Sequence, residues 1–160
     1  FHHILSKLNV SIGKTAILNT AKVTIDSLII TGLNDKGSYK ESRYSATTSG
    51  WVLDPVNHDT CYSLYYKVAA GDPELPDATG TIINQLYLIE SLIMPQAVTD
   101  SVKLRLNYNI TTGAGKYTEY FKYELSLDTV FPVNFMDRKS YSLRFTLNPD
   151  LITFDASVQE

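Results

Sequence analysis

Apolar and polar residues alternate with a period of two along most of this chain, and that regularity restricts it to extended strands with one buried face. Val102, Leu104, Leu106, Tyr108 and Ile110 fall on one side of such a strand, and Lys103, Arg105, Asn107 and Asn109 on the other. After Thr111-Thr112-Gly113-Ala114-Gly115 the pattern resumes with Phe121, Tyr123, Leu125 and Leu127 inward, which predicts a hairpin with a glycine-containing loop. Tyr141, Leu143, Phe145 and Leu147 repeat the motif. Asn148-Pro149-Asp150 then turns the chain toward Ile152, Phe154, Ala156 and Val158, predicting a second hairpin.

Ile4, Leu8, Val10 and Ile12 share a face near the start, and the stretch from Val23 becomes wholly apolar at Leu28-Ile29-Ile30. Residues 62–68 and 86–94 complete about eight strands. Residues 14–21 contain Thr and Asn, poor helix formers, and read as a loop. Short strands with no helical crossovers predict an all-β sandwich of two antiparallel sheets, with long loops at residues 34–49 and 70–80. At 160 residues, 44% apolar and 19% charged, the chain is long enough for one core and is expected to form a single domain over residues 1–160.

Several functions lose their basis in the composition. A net charge of −3, with Lys and Arg scattered singly, gives no basic stripe for nucleic acid. The only cysteine, Cys61, excludes an internal disulfide and a multi-thiolate metal site, and reads as a small buried hydrophobe. The longest apolar run, residues 86–95, is broken by Glu90 and is half the length of a membrane-spanning helix. Phe1-His2-His3-Ile4-Leu5-Ser6 has no signal-peptide character, so the natural start is expected to be processed or to lie upstream.

Catalytic signatures are absent. There is no Gly-x-Ser-x-Gly elbow, no His-Glu-x-x-His, no phosphate-cradling Gly-rich loop and no dinucleotide fingerprint, so the chain reads as a non-enzyme without cofactor or metal. His2 and His3, adjacent on an extended segment, point to opposite faces and do not suit one metal ion. His58 lies among Asp54, Asn57 and Asp59, a cluster that suits a cation but also matches a solvated turn, which is the favoured reading. Glu90 shares a period-two face with Leu88 and Leu92, so either that face opens to solvent or a bulge re-aims the side chain. Eleven tyrosines and Trp51 could stack on sugar rings, although tyrosines at alternate strand positions are more often core partners.

Three segments taken in order resemble the fimbrillin-like proteins of the Bacteroidales. The opening Phe1-x-His3-x-Leu5-Ser6-Lys7-Leu8-x-Val10-x-Ile12 is similar to a domain-opening strand of that family. Leu88-Ile89-Glu90-Ser91-Leu92-Ile93-Met94-Pro95-Gln96 resembles its strand ending in Pro-Gln, and Lys139 through Leu147 with Ile152 through Val158 resembles its terminal hairpin. The resemblance implies a transthyretin-like sandwich, the second domain of a two-domain subunit exported through the periplasm. It implies an outer-membrane lipid anchor outside this chain, carried before assembly into a cell-surface pilus.

The resemblance also implies joining to other fimbrial subunits by strand addition, in which an edge strand offers unpaired backbone groups to a neighbour. The first strand, through Ile4, Leu8 and Val10, or the last, through Ile152, Phe154 and Val158, is expected to border the groove. Asp26-Ser27-Leu28, Asp100-Ser101-Val102 and Asp128-Thr129-Val130 match the Asp-Ser/Thr-aliphatic pattern of O-glycosylation in that phylum. The alternative is an adhesive or carbohydrate-binding module that takes host or bacterial surface glycans on loops 34–51 and 70–80, with Trp51 and His58 as ligand-loop residues. An enzyme built on Asp54, His58 and Glu90 is the third reading.

Overall fold

The computed structural model describes residues 4–41, 50–54, 62–67, 74–130, 134–150 and 152–159, with backbone only at 62–67 and 154. The alternating segments form strands β1 (Ser6–Lys14), β2 (Lys22–Leu33), β3 (Gly37–Tyr39), β4 (Trp51–Leu53) and β5 (Tyr62–Lys67). They continue as β6 (Leu86–Ile93), β7 (Lys103–Thr112), β8 (Tyr117–Ser126), β9 (Ser140–Leu147) and β10 (Ile152–Gln159). One four-stranded sheet runs β10-β9-β1-β6, a second runs β5-β2-β7-β8, and β3 pairs with β4 in a small ribbon. The chain is an all-β sandwich. Among the described residues no helix is long and apolar enough to cross a membrane.

The two sheets bury their period-two faces against each other. Leu8, Val10 and Ile12 of β1 meet Val23, Ile25, Leu28 and Ile30 of β2, Leu104 and Leu106 of β7, and Leu143 and Phe145 of β9 in one continuous core. Complete burial of each such side chain contributes on the order of 1.5–3 kcal/mol, so this cluster is what holds the layers together. Tyr141 closes one end of the core, where its hydroxyl accepts the Met136 N–H at 2.8 Å and donates to the Asn134 carbonyl at 3.0 Å. Burial raises the pKa of this phenol above its usual value; the Met136 N–H and Lys139 pull it down, and Asp137 pushes it up. Tyr108, stacked on Phe121 at 5.0 Å, is likewise raised by burial.

Local chemistry explains the turns. The β7–β8 hairpin needs left-handed backbone at Gly113, Ala114 and Gly115, with φ of 62°, 55° and 89°. Glycine supplies two of those three positions at no steric cost. Residues 14–21 contain a 3-10 turn at Ala16–Thr20 where a loop was expected. Lys14, at the end of β1, is buried to 1% exposure, and its ammonium donates to the Ala21 carbonyl at 3.0 Å and pairs with Asp77 at 2.8 Å. The segment carrying Asp77 is fastened again by Asn19, whose amide exchanges two 2.9 Å hydrogen bonds with the backbone of Ala78.

Three sequence expectations are corrected. The sandwich is not wholly antiparallel, because β1 and β9 pair in parallel from Lys7 opposite Ser140 to Lys14 opposite Leu147. A parallel pair needs a crossover, and here strands of the second sheet supply it in place of a helix. The region of the long loop expected at 34–49 contains β3, which pairs with β4 at 51–53, within the described part of that stretch. The first strand is not an edge: β1 lies between β6 and β9, and Leu8 and Val10 are fully buried on it. Ile4 precedes β1, and its carbonyl accepts the Trp51 indole N–H at 2.6 Å.

Candidate functional site: the open sheet edges

Four strands border the two sheets, and they differ in how far their edges are protected. Natural sheets blunt edges with charges, bulges and strong twist, so an edge without these devices is the one suited to receive another strand. On β6 the register slips opposite Val10 and Ser11, leaving Leu88 as the extra residue of a bulge. The slip turns Ile89 and Ile93 into the core and sends Tyr87, Glu90 and Leu92 outward. Glu90 then pairs with Lys7 at 2.7 Å. Both alternatives raised for Glu90 are therefore realised together.

The β8 edge keeps regular register along ten pairs with β7 but carries Glu119, Lys122 and Glu124, the last bonded to Arg105 at 2.6 Å. At β5 only the backbone is described. The β10 edge keeps unbroken register along all eight pairs with β9, from Ile152 opposite Leu147 to Gln159 opposite Ser140. Its single charged residue, Asp155, stands opposite Arg144. Ile152 and Ala156 pack partly on the core, while Val158 is 47% exposed. Phe154 holds the register position opposite Phe145. Among the three edges with described side chains, only β10 combines unbroken register with a single charged residue: β6 carries the bulge and β8 the three charges.

At one end of the sandwich Leu5, Leu33, Leu92, Ile93 and Met94 line a cavity of about 210 Å³ with Asn34, Asp35 and Gln96. Ligand pockets run to about 300–1,000 Å³, so this space suits one side chain rather than a small molecule. The Gln96 side chain holds its polar wall by bonding both backbone groups of Asn34. Sequence reasoning noted the Pro-Gln pair and missed this role.

Trp51 is half-buried, edge-on to Tyr39 at 5.7 Å, with its indole N–H committed to Ile4. It is built into the frame of the β3–β4 ribbon. His2, His3, Asn57, His58, Asp59 and Cys61 lie outside the described residues. Asp54 is exposed, its N–H bonded to the Lys36 carbonyl at 3.1 Å and its carbonyl to the Asn34 amide. Among the described residues no three His, Cys, Asp or Glu side chains gather as a metal site. Of the three Asp-Ser/Thr triplets, Ser27 is buried in β2 and bonded by Asn107, whereas Thr129 is exposed on a 3-10 turn and Ser101 is half-buried on another turn.

No protein-family model and no curated protein matches the chain. Among solved structures it is similar to a fimbrial protein from Bacteroides vulgatus, at 16% identity and a TM-score of 0.52, covering 99% of this chain and 55% of that one. It is also similar to provisionally named cell adhesion proteins from Bacteroides eggerthii, at 13% identity, TM-score 0.49 and coverage of 99% and 56%, and from Bacteroides uniformis, at 15%, 0.47, 100% and 51%. The chain spans about half the length of these proteins. It shares the fold of the fimbrial protein from Bacteroides vulgatus along nearly its whole length, in agreement with the fimbrillin-like resemblance of its strand order.

Proposed function

We propose that this chain is a non-enzymatic domain of a Bacteroidales fimbrial subunit, displayed at the cell surface, and that it joins other subunits by strand addition at β10. The observation that carries the reading is the unbulged β10 edge with its single charged residue, beside a bulged β6 edge and a more heavily charged β8 edge. An added strand gains main-chain hydrogen bonds along such an edge, and alternate side chains set its register. Export through the periplasm, a lipid anchor outside this chain and a transthyretin-like connectivity belong to the same proposal.

The test is to place Lys at Ser157 and Val158, both exposed on β10, in the full-length precursor expressed in a Bacteroides host. The expected result is loss of the subunit from high-mass fimbrial polymers, with the purified variant melting as the wild type does. Undiminished incorporation would remove β10 as the joining edge.

A further inference from the structure

The β10 strand fits a second copy of itself in one register. It is the last strand of its sheet among the described strands, and its unbroken pairing with β9 presents the outer backbone groups at regular spacing. When two identical edges meet about a two-fold axis normal to the sheet, the strands run antiparallel and each face of one sheet continues into the same face of the other. Residues that stand opposite each other must then share a face, so their numbers are both odd or both even and the axis passes through a residue position. Two placements use nearly the whole strand: an axis at position 155 pairs 152–158, and an axis at position 156 pairs 153–159.

The one charged residue of β10 decides between them. With the axis at 155, Asp155 stands directly opposite its own copy, and like charges so placed destabilise a strand pair. Arg144 flanks each Asp155 from β9, on the side away from the second copy. With the axis at 156, each Asp155 faces Ser157, whose hydroxyl can donate to a carboxylate. Thr153 then faces Gln159, and position 154 faces Val158. Asp155, Ser157 and Gln159 are exposed, and Val158 is 47% exposed, so the residues that would meet are accessible. The small Ala156 lies on the axis, where the two chains come side by side.

We propose that two copies of this chain pair β10 to β10 into a closed two-fold dimer with its axis at Ala156, which joins their four-stranded sheets edge to edge. The contact is isologous, so it closes on itself and occupies the joining edge of both copies. Subunit addition at β10 then has to displace it, and the dimer is a resting form of the subunit. The inference rests on the open β10 edge of the proposed function and names a second occupant for it. Pairing of two single strands buries little surface, and small interfaces belong to weak, transient complexes. The dimer therefore forms with rising concentration and yields to a strand that matches the edge better.

Sedimentation velocity of the purified chain, followed up to millimolar concentration, reads the dimer, and variants of β10 read its register. Ser157→Lys sets an ammonium opposite Asp155 twice in each dimer and is expected to tighten it at least about twofold. Asp155→Ser added to Ser157→Lys should cancel that gain, and Val158→Lys should weaken the dimer severalfold. Tyr87→Lys, exposed on the β6 edge, should leave it unchanged. Thermal melting confirms that each variant is folded. A monomer at every concentration, no tightening by Ser157→Lys, or equal weakening by Tyr87→Lys overturns the proposal. Incorporation into fimbrial polymers reads the joining edge separately: a strictly monomeric chain whose Ser157 and Val158 lysine variant still drops out of polymers sinks the dimer and spares the joining edge.

Discussion

Gln96 pairs with Asn34 as though its side chain were a stretch of strand: Oε1 accepts the Asn34 N–H at 2.8 Å and Nε2 donates to the Asn34 carbonyl at 3.1 Å. The same amide also bonds the Met94 carbonyl at 3.0 Å. Gln96→Ala strands these backbone groups without water, so it should cost roughly 2–3 kcal/mol of stability. Urea midpoints check this; a loss below about 0.5 kcal/mol would show that water replaces the amide.

Lys14 and Asp77 should respond unequally to substitution. Asp77→Ala leaves a buried ammonium with only the Ala21 carbonyl, a loss of roughly 3 kcal/mol or more. Lys14→Met fills the same space without a charge and frees a carboxylate that is 64% exposed, for roughly 1–2 kcal/mol. Equal losses in chemical denaturation would mean that the ammonium reaches solvent.

Alkaline pH should destabilise the protein through its buried phenols. Tyr108 and Tyr141 are raised above the usual value of 10.0, so the folded form holds their protons to higher pH than the unfolded form does. Stability is then complete below pH 10 and falls as pH rises from there through the folded values. Tyr141→Phe should lower stability at neutral pH by roughly 1–3 kcal/mol while flattening the alkaline decline. Melting temperatures across pH 8 to 12 read both effects; parallel curves for wild type and variant would refute the assignment.

Protein from its native host is expected to carry O-linked glycan on Thr129 or Ser101, the two triplets placed on turns, and none on Ser27, whose hydroxyl is enclosed between strands. Intact mass and peptide mapping decide this. An unmodified mass, or glycan on Ser27, would end the idea.

The core was legible because burial repeats locally: the inward sets of β7 and β9 follow the alternation residue by residue. What stayed hidden was long-range. No local pattern discloses that β9 lies beside β1, and so the first strand read as an edge. The Leu88 bulge was foreshadowed by Glu90 amid apolar neighbours, a conflict that a change of phase resolves. The Asp26–Asn109 hydrogen bond left a fainter signal, an Asp interrupting the apolar β2 and two Asn alternating on β7. Its assembly depends on a register between strands about 80 residues apart in sequence, as the 83-residue separation of Asp26 and Asn109 illustrates.

The parallel seam between β1 and β9 also sets a timetable. β1 cannot gain its second neighbour until residues 140–147 have been made, so one flank of this buried strand stays unsatisfied while the intervening residues are synthesised. Such distant pairing slows folding and exposes sticky backbone meanwhile. The sandwich can therefore close around its central strand only once β9 is available to complete it.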